Sequence, residues 1–331
     1  MTKSPAPPLN IYAENIRNGN AAYQITAEAI EKALKPLGIE YALTLRYQDE
    51  PDPSMLGQAD CYIAAAFDPR ARIPQLSQVR LIHCLSAGVE RYLPLDWIPG
   101  RAFFTNSSGV HAAKAGEFGL LALLMLNDHI PEHSFNQRRH AWGSTLSTPI
   151  AGKTAMIYGV GAIGGAIATK AKSLGVRVIG VTHEPYNHPD VDRMIRPHGV
   201  RDALPETDFV VVCCPLTDAT RGAIGAHEFA CIKKGAGLAN IARAPIVDYE
   251  AMAHALEDGR LSGAVIDVFD EEPLPADSKW WEIKNLLVMP HVAADDPTHY
   301  LENALSIFAD NAARLLRGAP LRNVIDRERG Y

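Results

Sequence analysis

The sequence predicts an α/β protein made of two doubly wound parallel sheets. Three observations predict it. Short apolar runs alternate with helical stretches along the chain, the alternation occurs twice, and a length of 331 residues suits about two domains. In the first series the β-rich runs are residues 9–12, 41–47, 61–67, 79–85 and 103–106, with a helical stretch at 26–37. Strands alternating with helices give a parallel sheet covered on both faces. Segment 112–127 is apolar almost all round, as a helix buried between layers must be, and it reads as the crossing between domains. The second series is 154–158, 176–181, 209–214, 237–242, 263–269 and 286–289, all short and largely β-branched. Six such runs suit a second doubly wound sheet. Helices are expected at 162–173 and at 249–258, the latter closed by Gly259 at C′. A last amphipathic helix, 297–317, ends at Gly318 and carries the chain back toward the first domain. Asp295 and Asp296 read as its N-terminal cap rather than as a metal site, and no metal is expected.

Composition excludes several function classes. Asp and Glu outnumber Lys and Arg by 38 to 32, for a formal net charge of -6, and no basic run stands out, so nucleic acid is not an expected partner. Cys61, Cys84, Cys213, Cys214 and Cys231 are odd in number and lack CxxC spacing, which suits reduced thiols in a cytoplasmic protein. Residues 1–10 are polar and proline-rich without signal-peptide layout, and the chain before residue 9 reads as a loose tail. No apolar run approaches the roughly 18 residues of a membrane span, so no membrane partner is expected.

Gly159, Gly161 and Gly164 spell GxGxxG between the run 154–158 and the small-residue helix 162–173. Glycine clusters often only make a turn; strand before and helix after favour dinucleotide binding. There the glycines allow a tight turn, close approach of backbone to pyrophosphate, and close packing of helix on strand, with the phosphates at the helix N-terminus. NAD sites usually carry an acid about 20 residues on, at the end of the second strand. Here Thr182, His183 and Glu184 follow that strand. Thr182 does not repel a 2′-phosphate and His183 can pair with one, whereas Glu184 opposes it. The cofactor is NAD or NADP, with the balance slightly toward NADP.

Three further segments each put a titratable residue at the C-terminal end of an expected strand, the edge where open α/β sheets bind ligands. They are Asn240-Ile241-Ala242-Arg243, the stretch from Asp267 through Asp270, Glu271, Glu272 and Pro273, and Pro290-His291-Val292-Ala293. With the glycine turn, in order and approximate spacing, they resemble the D-isomer-specific 2-hydroxyacid dehydrogenase family, which includes glyoxylate and hydroxypyruvate reductases. The resemblance covers nearly the whole chain. It implies a Rossmann nucleotide domain at 105–295 and a flavodoxin-like substrate domain at 1–104 and 296–331. It also implies a cytoplasmic homodimer that reduces a small 2-keto acid with NAD(P)H to the D-2-hydroxy acid.

By the same resemblance His291 is the acid/base, Glu272 its partner, and Arg243 the anchor of the substrate carboxylate and carbonyl. Cofactor contacts are implied for Gly159, Gly161, Ala162, Ile163, Gly164, Thr182, His183, Pro215, Thr220, Ala242 and Asp267, the last at the nicotinamide carboxamide or its ribose. The loop Ser86 to Val89 resembles one whose N–H groups bind the substrate carboxylate, here at Ala87 and Gly88. Trp142 resembles a tryptophan that in some members reaches the neighbouring subunit's pocket; packing at a dimer interface is the other reading. Physical chemistry fits each catalytic role. A ketone needs a proton as hydride arrives, histidine titrates near neutrality, a carboxylate beside it favours the imidazolium, and arginine offers a planar fork. Taken singly, each has a plainer reading: a structural histidine, a surface ion pair, a solvated acidic turn. Their joint order tells against coincidence. Ala244 and Pro245 follow Arg243 where the family usually has glycine, and Ala293 and Ala294 stand where glycine is usual beside the nicotinamide, which bears on substrate more than on reaction. No extra C-terminal regulatory domain is evident, which argues against the longer phosphoglycerate dehydrogenases. Formate dehydrogenases would have another residue at Glu272. The rival of another class is a binding protein that senses nicotinamide cofactors on the same fold.

Overall fold

The computed structural model describes residues 8–65 and 67–330. Of the loose start expected before residue 9, residues 1–7 lie outside the described residues. The chain forms two compact units, one running to Val110 and resuming at Asp296, the other His111–Asp295.

The first unit holds five parallel strands, β1 (Leu9–Asn15), β2 (Tyr41–Tyr47), β3 (Cys61–Ala64), β4 (Leu81–Cys84) and β5 (Phe103–Asn106), in the order β2-β1-β3-β4-β5. That is the flavodoxin-like winding. Alternate side chains leave the sheet on opposite faces. Tyr12, Tyr62, Ile82 and Phe104 meet Tyr92 and Trp97 on one face. On the other, Ile11, Ile63 and Leu81 are covered by Ile30 and Leu34 of helix Ala27–Leu34 and by Phe308 and Ala312 of helix Tyr300–Arg317. Thr26 caps the former by accepting the N–H of Ala29 at 3.1 Å. The latter ends at Gly318, at φ 67. It starts at Tyr300, and its N-cap position is His299, so Asp296 does not cap it. Instead Asp296 accepts the N–H groups of Thr298 and His299 at 2.9 and 3.1 Å, and this side-chain turn holds the preceding residues out of the helix.

The second unit holds seven parallel strands: β6 (Thr154–Tyr158), β7 (Arg177–Val181), β8 (Arg193–Ile195), β9 (Phe209–Val212), β10 (Ala236–Asn240), β11 (Leu261–Ile266) and β12 (Leu286–Val288). Their order, β12-β11-β10-β9-β6-β7-β8, reverses between β6 and β9, the switch point of a Rossmann sheet. The six expected strands are joined by β8, a three-residue edge strand. Val212, Leu238 and Ile266 pack under Met252 and Leu256 of helix Tyr249–Glu257 on one face. On the other, Val211, Ala239 and Val265 pack under Leu123 and Leu126 of helix Ala112–Asn127 and Ile167 of helix Ala162–Ser173. Helix Ala112–Asn127 is not the crossing itself but lies wholly in this unit. Its Gly119 packs so closely on the other helix that a Cβ there would stand 2.5 Å from Ile167 Cγ1. The chain leaves the first unit after Val110, beyond residue 104, because β5 belongs to the first sheet. Among the described residues no helix is long and apolar enough to cross a membrane, and no group of three His, Cys, Asp or Glu residues is placed to hold a metal.

Candidate active site

All strands of the second unit are parallel, so their C-terminal ends share one edge, and the site residues of this unit lie in the loops that leave it. After β6 the chain turns at Gly159, φ 105, where a Cβ would meet the Cys214 backbone at 2.6 Å. Only glycine fits there. Gly164 presses helix Ala162–Ser173 onto the turn, since a Cβ would stand 2.0 Å from Gly159 O. Gly161, the N-cap, faces open space. Ala162, Ile163 and Gly164 form the first turn, whose N–H groups have no partner within the helix and favour negative charge. A phosphate therefore fits this cradle. Tyr186, in the loop after β7, donates its hydroxyl to Val160 O at 2.8 Å and so folds that loop onto the turn. No sequence pattern marks it.

Thr182 leaves β7 half-buried, its N–H bonded to Ile195 O at 3.0 Å, and His183 is exposed. The same bond places Arg196, the residue after β8, beside Thr182. Arg196 is exposed; its carbonyl accepts the Gly199 N–H at 2.9 Å, and its guanidinium has no hydrogen bond or ion pair among the described residues. Pro215 and Thr220 close the loop after β9: the Thr220 hydroxyl donates to Pro215 O at 2.7 Å and accepts the Thr217 N–H at 2.8 Å. Ala242 is buried, its N–H bonded to Asn240 Oδ1 at 3.0 Å, and its carbonyl accepts from Arg243 Nη1 at 2.7 Å. Arg243 itself is half-buried.

Asp267, at the end of β11, is 2% exposed. Its two oxygens accept the N–H groups of Val292 at 2.8 Å and Ala293 at 3.0 Å. Burial pushes its carboxyl up, and these two N–H groups act the other way. His291, after β12, stands at φ 55. Its Nδ1 lies 2.6 Å from Glu272 Oε2, while Glu272 Oε1 accepts the Phe269 N–H at 2.7 Å. The carboxylate thus fixes the imidazole orientation and leaves Nε2 for another partner. Among the sequence-selected residues, the structure brings His291 and Glu272 into direct contact and ties Asp267 to the loop that carries His291.

In the first unit Ala87 and Gly88 follow β4, and Asn106 Nδ2 donates to Ala87 O. The N–H groups of Ala87 and Gly88 have no partner among the described residues. Trp142 is fully exposed. Cys213 Sγ lies 3.1 Å from Gly159 O, beneath the glycine turn.

A doubly wound unit with a glycine turn at its switch point defines a dinucleotide-binding protein. Residues 120–293 match the family model described as D-isomer specific 2-hydroxyacid dehydrogenase, NAD binding domain. The chain belongs to that family and is an NAD(P)-dependent oxidoreductase. It is 26% identical over 321 residues to a glyoxylate reductase of Korarchaeum cryptofilum, covering 92% of this chain and 95% of the relative. A glyoxylate reductase of Thermococcus gammatolerans is 38% identical over 203 residues, 58% of this chain and 60% of that one. A D-isomer specific 2-hydroxyacid dehydrogenase of Xanthobacter autotrophicus, solved with NADPH and MES, superimposes with a TM-score of 0.83 at 26% identity, over 98% of this chain and 100% of the other.

Proposed function

We propose that this enzyme reduces a small 2-keto acid, glyoxylate or hydroxypyruvate above all, to the D-2-hydroxy acid, as a cytoplasmic homodimer that prefers NADPH. The observation that carries the reading is the His291–Glu272 pair, at 2.6 Å, on the strand edge that also bears Arg243 and the glycine turn. Gly159, Gly161 and the first turn of helix Ala162–Ser173 hold the pyrophosphate, and the bound reduced nicotinamide supplies hydride. Arg243 grips the substrate carboxylate and carbonyl oxygens in its planar fork, which fixes the face that is reduced. The Nε2–H of His291 gives a proton to the carbonyl oxygen, and Glu272 holds the ring in line. The N–H groups of Ala87 and Gly88, without a partner among the described residues, suit a carboxylate.

Preference for NADPH is supported by neutral Thr182, by exposed His183 and by the guanidinium of Arg196 beside them, which has no partner among the described residues. The Xanthobacter autotrophicus relative also holds NADPH. The glyoxylate reductases among its relatives support the substrate class. Steady-state assays with glyoxylate, hydroxypyruvate, pyruvate and branched 2-keto acids, with each reduced cofactor, test this. The expected result is sustained turnover, fastest on the two smallest oxygenated acids with NADPH. Cofactor binding without turnover on any of them sinks the reading.

A further inference from the structure

Behind Arg243 and Glu272 lies a buried side chain that the chemistry above does not use. Tyr249 opens helix Tyr249–Glu257 and is 6% exposed. Its ring packs edge-on against Phe269 and Trp280, with centroids 6.0 and 5.6 Å away. Its hydroxyl donates to Val268 O at 2.7 Å and accepts from Asn240 Nδ2 at 3.0 Å. Burial pushes the hydroxyl's pKa far up, so it remains a donor at any working pH.

Asn240, fully buried at the end of β10, spends its other bonds on the arginine turn. Nδ2 also donates to Arg243 O at 3.1 Å, and Oδ1 accepts the Ala242 N–H at 3.0 Å. One residue past Val268, the Phe269 N–H donates to Glu272 Oε1 at 2.7 Å, and Glu272 Oε2 holds His291. A continuous link therefore runs from the Arg243 backbone through Asn240 and Tyr249 to the turn that carries Glu272. In this link both N–H groups and the oxygen of the Asn240 amide, and the Tyr249 hydroxyl as donor and acceptor, all have partners, as a buried polar network needs if it is to rigidify its surroundings.

We propose that Tyr249 is a positioning residue: its hydroxyl sets the spacing between the turn bearing Arg243 and the turn bearing Glu272, and so keeps the substrate anchor in register with the proton donor. The proposal rests on the roles given above to Arg243, Glu272 and His291. A displacement of about 1 Å between such groups can cost on the order of 100-fold in rate. A tyrosine that only filled space would show its loss in stability and leave the kinetics alone.

Tyr249→Phe keeps the ring and removes the link. Fluorescence titration should give an NADPH dissociation constant within about twofold of the parent, because the glycine turn and β7 are untouched. With a 2-keto acid, KM should rise and kcat fall together, lowering kcat/KM by about 10- to 100-fold. In an Arg243→Lys background the same change should add far less, because the anchor it aligns is already impaired. Asn240→Ala cuts the link from its other end, and it should reproduce the loss even if Tyr249→Phe fails to fold. A folded Tyr249→Phe with parental kcat and KM overturns the proposal, as does full additivity with Arg243→Lys. His291→Asn, run in parallel, separates the two ideas. If it stays active the reading of the site fails; if it is inactive while Tyr249→Phe is unaffected, only the positioning role fails.

Discussion

His291 holds a left-handed backbone at φ 55, which costs a residue with a side chain about 1 kcal/mol or more. Asp267 maintains it by clasping the N–H groups of Val292 and Ala293 with both carboxylate oxygens. That geometry turns the imidazole onto Glu272. The residues proposed to carry charge into the site, His291, Glu272 and Arg243, stand out in the sequence because each follows an apolar run in a recognisable order, and the structure joins the first two. The clasp was not, because it joins a side chain to backbone groups 25 and 26 positions away, which no local pattern encodes. Asp267 therefore has a structural task in addition to any contact with the nicotinamide. At this scale the expectation is that His291→Asn lowers kcat by roughly 10² to 10⁴ while cofactor affinity stays nearly intact, as for loss of a general acid. Stopped-flow and equilibrium titration of the purified variant check it, and a kcat near the parent's removes His291 from the chemistry.

Among the elements, long periodic segments announced themselves: β2, β5 and β6 span the apolar runs read from the sequence, and so do helices Ala112–Asn127 and Ala162–Ser173. β8 did not, because Arg193–Ile195 offers three residues at a sheet edge, too few for a period of two to be visible. Missing that strand also hid Arg196, since its place beside Thr182 exists only once β8 pairs with β7. β9 and β10 stop two residues before their apolar runs end: Cys213, half-buried, and Cys214, Ile241 and Ala242, buried, lie beyond the strands yet pack into the same clusters as the strand side chains, so their apolar character does not mark the strand ends. The strand-level expectation concerns the cofactor. Arg196→Ala should weaken NADPH binding by about tenfold and leave NADH nearly unchanged, and Thr182→Asp should lower the NADPH to NADH ratio of kcat/KM by adding charge that repels a 2′-phosphate. Dissociation constants for 2′,5′-ADP and 5′-AMP separate the phosphate contribution from catalysis. Equal weakening of both nucleotides by Arg196→Ala would show that Arg196 does not face the phosphate.

Over the described residues, most buried apolar side chains fall into four clusters, two in each unit, one on either face of each sheet. No cluster draws on both units, so each has its own core, as separately cooperative domains do. Calorimetry of the intact chain should resolve two unfolding transitions. NADPH at about 100 times its dissociation constant should raise only the one belonging to His111–Asp295, by about 2.7 kcal/mol. A single transition, or an equal shift of both, would show that the units unfold as one. The two-part first unit has a further consequence during synthesis. Ile11, Ile30 and Ile63 leave the ribosome early, yet the helix Tyr300–Arg317 that covers them is made only after His111–Asp295. At about 5–20 residues per second that is a wait of roughly ten seconds or more. The unit begun second is thus the first able to finish, and the nascent first sheet must stand with one greasy face bare, a natural client for a chaperone, until the last helix emerges.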